Sequence, residues 1–391
     1  MSAPQAAWKT PVDGDLYASP LIVAGHVIVA TENNTVYSLD LFTGAPLWNI
    51  HLGDPVDSSS LPCGDIGPVT GITGTPAADP ATGRLYVVAF LRTHHHMLFG
   101  LSLTDGSVIF KRDVDPPGSN PLVQQERGAL SVGASYVYVP FGGLYGDCGQ
   151  YRGYVEAVSL DGSSALTYTV PSAREAGIWS AQGATIAPDG SLYVVTGNGA
   201  SRSSFDYSNS VIQLSPDLTV KSYFAPTDWL ALNASDTDLG ALGATVLPGA
   251  VIAVGKSGVA YLLGEGQLGR VGGQISSFNL CGGAFGGTAL KGSTVFVPCT
   301  DGLYAVSVGP NGWHVLWRAN HPVLGSPILS AGAVWAIEPS SATLFALDPN
   351  SGNVLYSTPL GAAEHFSTPA ATEGFVVAPA GRNVVAILTS S

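Results

Sequence analysis

Two aspartates and a lysine are the residues whose types and spacing most directly suggest chemistry. Asp236 and Asp238 are separated by a single residue, and Lys256 follows them in the same part of the chain. If Lys256 pairs with either aspartate in a partly dry pocket, that carboxylate stays ionised to lower pH. It could then act as a general base or orient a ligand in acid. Asp238 and Lys256 are therefore the candidate catalytic residues.

Three consecutive histidines, His94, His95 and His96, form a second cluster of reactive side chains. In a strand, alternation would point His94 and His96 to one face and His95 to the other. A pair of imidazoles could hold a transition metal, but the sequence designates no third ligand. A solvated loop is the favoured interpretation, and the sequence assigns these histidines no role.

Composition excludes several classes of protein. Hydrophobic residues make up 46% of the chain and charged residues 11%, which predicts a large core rather than disorder. No stretch approaches the roughly 20 apolar residues of a membrane span. A net charge of −13 argues against binding to nucleic acid or to anionic membranes. The low charge density suits a protein exposed to acid, although a neutral, sugar-like surface explains it equally well.

Four cysteines indicate the compartment. None of Cys63, Cys148, Cys281 and Cys299 falls in a CxxC pair, so the spacing of a zinc site is absent. An even number without metal spacing favours disulfides and an oxidising compartment, hence an extracellular or periplasmic protein. No signal peptide is visible, and we expect the opening Met-Ser-Ala-Pro to stand in place of one.

An internal repeat organises the whole chain. Its clearest copy begins at Ser19 and contains four short strands, with Gly44 before the last strand and Trp48 within it. The same order of features recurs from Ser326 to Tyr356. Counting degenerate copies, the first strands begin near residues 19, 75, 128, 183, 243, 287, 326 and 368. We therefore predict an all-β, eight-bladed propeller of four-stranded antiparallel blades, forming one domain over residues 1–391.

The two ends of the chain are predicted to close the ring. The last copy ends at Leu388, after its third strand, and the segment around Trp8 resembles the missing fourth strand. An N-terminal strand that completes the last blade would leave only short, protected sheet edges. Trp8, Trp48 and Trp317 are interpreted as core aromatics that pack between neighbouring blades.

Strand polarity assigns the loops to faces. If the innermost strand starts on the top face, the loops leading into each blade share that face with the loops between strands two and three. All four cysteines then lie on top, and of the three pairings that four cysteines allow this favours Cys63–Cys148 and Cys281–Cys299. Polar side chains and one tryptophan on this face form a working set: His94, His95, His96, Glu126, Arg127, Asp147, Trp179, Asn198, Asp206, Asp236, Asp238, Lys256, His321, Glu338, Glu364, His365 and Arg382.

At this point the chain resembles a known family. A tryptophan in the fourth strand, with glycine after the third, is similar to the docking repeat of the quinoprotein, or PQQ-like, propellers. That family includes PQQ-dependent alcohol dehydrogenases and an outer-membrane assembly lipoprotein without an active site. The stretch from Tyr138 to Pro349 looks like the middle of such a dehydrogenase. No pair of adjacent cysteines occurs here, whereas those dehydrogenases carry one against the quinone.

The resemblance implies roles for particular residues. Trp179 resembles the tryptophan on which the quinone lies, and Lys256 the residue that contacts it. Asn198, in Thr-Gly-Asn, resembles a calcium ligand, and Asp147 falls near the position of a calcium-binding carboxylate. Asp236 and Asp238 lie in the region that holds the catalytic aspartate, with Asp238 the closer fit. The implied cofactors are PQQ and calcium: Trp179, Asn198, Asp236 and Asp147 would bind the cofactor, and Asn198 and Asp238 the metal.

Three functions remain open from the sequence. The first is a secreted propeller that binds a small molecule or a protein partner at its top face without catalysis. The second is a PQQ- and calcium-dependent alcohol dehydrogenase. The third is a hydrolase similar to the tetrathionate hydrolases of acidic environments, which share the scaffold and need no quinone. We favour binding, because most propellers with this repeat are not enzymes.

Overall fold

The strands form a ring of blades. The computed structural model describes residues 4–309, 312–319, 325–372 and 374–389. Within these ranges, eight sheets each contribute four strands that pair antiparallel with their neighbours. First strands of different blades contact one another, so they surround the central channel. The predicted eight-bladed propeller is confirmed.

The blade strands are short, and glycine-containing turns join many of them. The first strands are Leu21–Val23, Ala77–Asp79, Ser131–Val132, Thr185–Ile186, Thr245–Leu247, Ala289–Lys291, Ile328–Ser330 and Ala370–Thr372. The second strands are His26–Ala30, Arg84–Leu91, Tyr136–Gly143, Leu192–Val195, Ala250–Val254, Thr294–Cys299, Ala333–Glu338 and Phe375–Pro379. The third strands are Thr35–Asp40, His95–Ser102, Tyr154–Ser159, Val211–Leu214, Val259–Gly264, Gly302–Gly309, Thr343–Leu347 and Asn383–Leu388. The fourth strands are Pro46–His51, Val108–Asp113, Ala165–Thr169, Val220–Ala225, Ser276–Asn279, Gly312–Arg318, Val354–Pro359 and, for blade eight, Gln5–Pro11.

Blades two to five contain a few further elements besides their four strands. Val56–Asp57 and Val69–Thr70 form a two-stranded ribbon in the segment that leads into blade two. The remaining elements are the strands Gln124–Gln125 and Arg270–Val271, the helix Trp229–Ala234, and the 3-10 turns Ser58–Ser60 and Leu239–Ala241. Most of these lie in the segments that lead into a blade, where the structure is free to depart from the repeat. No helix within the described parts of the chain has the length and apolar character needed to cross a bilayer.

The hydrophobic core lies between the blades. Eight apolar clusters are found among the described residues, and each joins the facing sides of two adjacent blades. The second and third strands supply most of these side chains, with Trp335, Tyr86 and Tyr193 almost completely buried. Because every blade is sandwiched between two others, both faces of its sheet are apolar, which explains the short hydrophobic runs in the sequence.

The N-terminal strand closes the ring as predicted. It pairs antiparallel with the third strand of blade eight, and Trp8 lies opposite Ala386. The Trp8 indole donates to the Leu41 carbonyl of blade one at 2.8 Å, which ties the last blade to the first. A Cβ atom at Gly44 would lie 2.5 Å from the Trp8 ring, so only glycine allows this contact.

The same docking contact joins other pairs of blades. Trp48 donates to the Leu103 carbonyl at 3.1 Å, and Trp317 donates to the Pro349 carbonyl at 2.9 Å. In each case the ring covers a glycine of the following blade. The interpretation of these tryptophans as core residues between blades is confirmed.

Both predicted disulfides are present. Cys63 is bonded to Cys148 with an S–S distance of 1.98 Å, and Cys281 is bonded to Cys299 with a distance of 2.09 Å. The first links the segment leading into blade two with the loop between strands two and three of blade three. The second links the segment leading into blade six with the end of that blade's second strand. Both lie on the top face, as the polarity argument required.

The solvated-loop interpretation of the histidines is wrong for two of them. His95 and His96 begin the third strand of blade two, because the turn before them is tight and His94 adopts a φ of 61°. His96 is 2% exposed, stacks on Phe90 at 4.0 Å, and its Nδ1 lies 2.8 Å from Asp115 Oδ1. His96 is therefore part of the packing beneath the turn.

Candidate functional site

A cavity of about 570 Å³ opens on the top face of the ring, where loops of blades two to six and blade eight converge. Its lining consists of Asp65, Arg127, Gly143, Leu144, Tyr145, Gly146, Asp147, Tyr151, Trp179, Asn198, Asp236, Asp238, Lys256, Phe285, His365 and Phe366. Apart from Gly143, which ends the second strand of blade three, these residues belong to segments leading into a blade or to loops between strands two and three. The cavity brings together all six candidate residues from the sequence: Asp147, Trp179, Asn198, Asp236, Asp238 and Lys256.

Asp238 and Lys256 form the most buried charge pair of the cavity. Asp238 Oδ2 lies 2.5 Å from Lys256 Nζ, and Asp238 Oδ1 accepts the backbone N–H of Asn198 at 2.5 Å. Lys256 Nζ also lies 3.2 Å from Asp236 Oδ1, on a side chain that faces solvent. Burial raises the pKa of Asp238, and Lys256 opposes this shift. Burial would lower the pKa of Lys256, but Asp238 raises it above its ordinary value.

Local backbone contacts position this pair. Asp238 precedes the 3-10 turn Leu239–Ala241, and its carbonyl accepts the Lys256 N–H at 2.8 Å. Two glycines allow the loops to approach so closely. A Cβ atom at Gly197 would lie 2.5 Å from Asp238 Oδ1, and one at Gly255 would lie 2.4 Å from the Asp238 carbonyl. The glycines beside Asn198 and Lys256 are thus required by the buried aspartate.

Trp179 and Asn198 form the wall next to this pair. Lys256 Nζ lies 5.7 Å from the centre of the Trp179 ring, within range of a cation–π contact. Phe366, from the segment leading into blade eight, lies 6.2 Å from the same ring. The Asn198 side chain lines the cavity and makes no hydrogen bond to the residues that the structure describes. Its amide is therefore available to a ligand.

Asp147 lines the cavity from blade three, in the loop between strands two and three. The Cys63–Cys148 disulfide holds its loop, and Asp147 has a φ of 54°. The Tyr151 hydroxyl donates to Asp147 Oδ1, while Arg174 donates to the Asp147 carbonyl at 2.6 Å. Burial and the neighbouring Asp147 carboxylate raise the pKa of Tyr151 well above its ordinary value. Tyr151 is therefore a neutral donor that orients Asp147.

A second cluster of ionisable side chains lines the cavity, contributed by blades two, three and eight. Arg127 Nη2 lies 2.8 Å from Asp65 Oδ1, and His365 Nε2 lies 3.3 Å from both Asp65 Oδ2 and Arg127 Nη1. Burial and the Arg127 charge lower the pKa of His365, so this imidazole is neutral near pH 7. The Arg127 guanidinium also lies 5.8 Å from the centre of the Phe366 ring.

Sequence reasoning missed five acidic or aromatic members of the lining: Asp65, Tyr145, Tyr151, Phe285 and Phe366. The other aromatic members were missed because the working set selected polar side chains and included only one aromatic ring besides the histidines, that of Trp179. Asp65 lies two residues from Cys63, so the predicted disulfide was a signal that its segment reaches the top face. An aromatic screen of the same loops would have found the others.

Part of the working set lies away from the cavity. Of its described members, the lining lacks His94, His95, His96, Glu126, Asp206, Glu338, Glu364 and Arg382. Several of these side chains form hydrogen bonds or ion pairs with neighbouring residues instead. Asp206 accepts from Ser208, and Arg382 pairs with Asp15 at 2.9 Å, for example. His321 lies outside the described residues.

Comparison with protein families identifies the family of this propeller. Residues 5–242, more than half of the chain, match the family described as outer membrane protein assembly factor BamB, a PQQ-like propeller family. The chain belongs to this family. A comparison with curated proteins found no match.

Solved structures show the same fold as this PQQ-like propeller. A quinohemoprotein alcohol dehydrogenase from Pseudomonas putida has a TM-score of 0.78 at 14% identity, covering 99% of this chain and 77% of that one. BamB from Moraxella catarrhalis has a TM-score of 0.67 at 11% identity, covering 98% and 99%. A europium-containing methanol dehydrogenase has a TM-score of 0.70 at 15% identity, covering 96% and 84%. At these identities the likeness establishes the fold.

Of the two cofactors that the family resemblance implies, the cavity fits PQQ better than it fits calcium. The Trp179 face suits a flat ring. Calcium takes six to eight oxygen ligands. Both Asp238 oxygens are already engaged by Lys256 and the Asn198 N–H, and one Asp147 oxygen by Tyr151. The described residues therefore do not form the calcium site that the resemblance implies.

Proposed function

We propose that this PQQ-like propeller is a binding protein that takes a small-molecule ligand in its top-face cavity. The observation that carries the proposal is the convergence of six residues, chosen from the sequence, in one cavity of about 570 Å³. A concave site of this size, with aromatic walls and a few fixed polar groups, is typical of small-molecule recognition. Trp179 supplies the flat wall, and Asn198 supplies a side-chain amide without a hydrogen-bond partner among the described residues.

The charged groups of the cavity are organised for binding. Lys256 is held by two aspartates and Arg127 by Asp65, so both cations are fixed in place before a ligand arrives. Preorganised polar groups lose little entropy on binding, which favours affinity for a rigid ligand. The Cys63–Cys148 bond restrains the Asp147 loop in the same way.

A quinone-dependent oxidoreductase is the second candidate. Trp179 and Lys256 support it, because they lie against each other at the positions that the family resemblance assigns to the quinone. Asp238 would then have to release Lys256 to act as a base. Since calcium lacks a ligand set here, we derive no reaction step through the cofactor.

The compartment follows from the two disulfides. Both are structural bonds between neighbouring loops, and such bonds persist in oxidising surroundings. We therefore propose a periplasmic or extracellular location, in which the top face meets ligands from outside the cytoplasm. Tolerance of acid is part of this proposal and is tested below through stability.

Isothermal titration with a library of small polar and aromatic compounds tests the proposed function. Each compound that binds is titrated again with Trp179→Ala, and we expect at least a tenfold loss of affinity because the flat wall is gone. His95→Ala, at an exposed position outside the lining, is the matched control and should bind like the wild type. Equal affinity in Trp179→Ala would contradict the proposal.

PQQ is included in the library with and without calcium. A calcium-dependent quinone absorption band together with dye-linked alcohol oxidation would establish the second candidate instead. Turnover of tetrathionate at acidic pH would likewise replace binding by hydrolysis.

A further inference from the structure

The cavity carries an excess of negative charge. Its lining contains four carboxylates, Asp65, Asp147, Asp236 and Asp238, against the two permanent cations Arg127 and Lys256. Four carboxylates and two cations leave two negative charges unbalanced. His365 does not offset them, because its imidazole is neutral near pH 7.

One of these two charges lies at the aspartates that share Lys256, and the other lies on a single residue, Asp147. Arg127 pairs with Asp65, and Lys256 pairs with both Asp236 and Asp238. Among the described residues, Asp147 is the lining carboxylate without a salt bridge. The nearby Arg174 binds the Asp147 carbonyl, and its guanidinium pairs with the Glu175 carboxylate at 3.0 Å. Asp147 thus receives one neutral hydrogen bond, from Tyr151, and keeps its second oxygen for another donor.

Backbone hydrogen bonds join the loops of Asp147 and Asn198 into one wall of the cavity. The segment leading into blade four runs between their loops, where the Glu175 N–H donates to the Tyr151 carbonyl and the Ala176 N–H donates to the Asn198 carbonyl, each at 2.7 Å. This wall therefore presents a carboxylate oxygen and an amide oxygen to the same cavity. Both are acceptors that a cation with several N–H donors would satisfy.

Aromatic rings line the same cavity as these acceptors. Tyr145, Trp179, Phe285 and Phe366 line the cavity together with Asp147. Aromatic faces attract cations through their negative quadrupole, and they also cover apolar carbon atoms. A bare metal ion would gain little from such walls, whereas an organic cation has both a charge and an apolar body to place against them.

From these observations we infer that the cavity selects a primary organic ammonium ion, with Asp147 as the carboxylate that binds its charge. The inference rests on the proposed function and adds the chemical class of the ligand. The ammonium donates to Asp147 and to the Asn198 amide oxygen, and its apolar part packs against Trp179 and Phe366.

Three probes of matched size and different charge test this inference. Phenethylammonium, 2-phenylethanol and 3-phenylpropanoate are titrated at pH 7 by calorimetry. We expect phenethylammonium to bind at least ten times more tightly than the neutral alcohol, and the carboxylate to bind most weakly. Asp147→Asn keeps an acceptor for Tyr151 and removes the charge, so it should weaken phenethylammonium at least tenfold and leave 2-phenylethanol unchanged.

The control separates this inference from the proposed function. Asp228→Asn removes the same charge from an exposed position outside the lining and should leave all three affinities unchanged. Stronger binding of the alcohol or the carboxylate, lost in Trp179→Ala, would overturn the ligand class while the cavity remains a binding site. Calcium displacing phenethylammonium at lower concentration would overturn it in favour of a metal. If no probe or library compound depends on Trp179, the proposed function itself fails.

Discussion

Asp238 and Lys256 lie 2.5 Å apart across two neighbouring loops of blade five, one leading into the blade and one between its second and third strands. The pair is mostly enclosed, with Asp238 Oδ1 also held by the Asn198 backbone. This contact joins the wall of blade four to that of blade five. The shape of the cavity therefore depends on a charge pair, and the strength of that pair is measurable.

A double-mutant cycle should show strong coupling between these residues. Asp238→Asn and Lys256→Met each leave a partly buried charge with a poorer partner, so each should lower the free energy of unfolding by about 1–3 kcal/mol. The double variant should recover part of this loss, giving a coupling of about 1–3 kcal/mol by urea denaturation. The exposed pair Lys221 and Asp189 is the matched control, with coupling below about 0.5 kcal/mol. Equal coupling in the two pairs would contradict the assigned role.

Stability should be greater in acid than at alkaline pH because of a buried glutamate. Burial raises the pKa of Glu32 to about 7. A pKa raised in the folded state stabilises the protein below the ordinary value, and this contribution is lost as pH rises through about 7. The free energy of unfolding should therefore fall by roughly 3 kcal/mol between about pH 4.5 and pH 7 from this group.

Glu32→Gln provides the check on this prediction. The variant keeps an acceptor for the Gly71 N–H, which donates to Glu32 at 2.6 Å, and it cannot ionise. Thermal unfolding between pH 4 and pH 8 should show a flatter profile than the wild type, with the variant relatively more stable at pH 8. Asp228→Asn, at an exposed site, should retain the wild-type slope. Identical slopes in Glu32→Gln and the wild type would refute the prediction.

Removing the N-terminal strand should open the ring. Gln5–Pro11 is the fourth strand of blade eight and carries the Trp8 ring that covers Gly44, and a deletion of residues 1–12 removes both. Their deletion should lower the melting temperature sharply, because closure of the sheet ring is lost. Trp8→Ala alone should cost about 2–4 kcal/mol, and Lys9→Ala, exposed on the same strand, well under 1 kcal/mol. A melting temperature unaffected by the deletion would count against closure by this strand.

The two disulfides should differ in their effects on stability. Cys63–Cys148 closes 85 residues and Cys281–Cys299 closes 18. Loop-closure entropy then predicts a loss of about 4–5 kcal/mol for the first pair and about 3 kcal/mol for the second when each is replaced by alanines. Denaturant unfolding of the two double-alanine variants measures this order. Because the first bond also restrains Asp147, its removal should weaken ligand binding as well, and the reverse order would show that strain or residual structure dominates.

The fold was predictable because the repeat encodes it several times. Each copy carries its own turn glycine and hydrophobic strands, and Trp8 revealed which strand was missing from the last blade. The cysteine pairing followed from strand polarity, because it placed the four cysteines on one face as two neighbouring pairs, Cys63 with Cys148 and Cys281 with Cys299. The conformation of the histidines could not be predicted in this way, because the tight turn at His94 and the stacking of His96 on Phe90 depend on a neighbouring strand.

The candidate site was predictable in part. Polarity placed Asp238 and Lys256 on the correct face, and the family resemblance singled out Trp179 and Asn198 from the same loops. The sequence could not show that Asp147 has no salt bridge to a described residue. Nor could it show that Arg127, Asp65 and His365, from three blades, contact one another. Such contacts depend on loop conformations that differ from blade to blade, and the repeat does not determine them.

The most direct test of the binding cavity is fluorine NMR of the protein labelled with 5-fluorotryptophan. Of the seven tryptophans, Trp179 is the one in the cavity lining, and Trp8, Trp48 and Trp317 pack between blades. Its resonance is assigned by its absence from Trp179→Phe. Addition of a compound that binds should shift the Trp179 resonance in a saturable way and leave the tryptophans between blades unchanged. Saturable binding that shifts another tryptophan and not Trp179 would contradict the cavity as the ligand site.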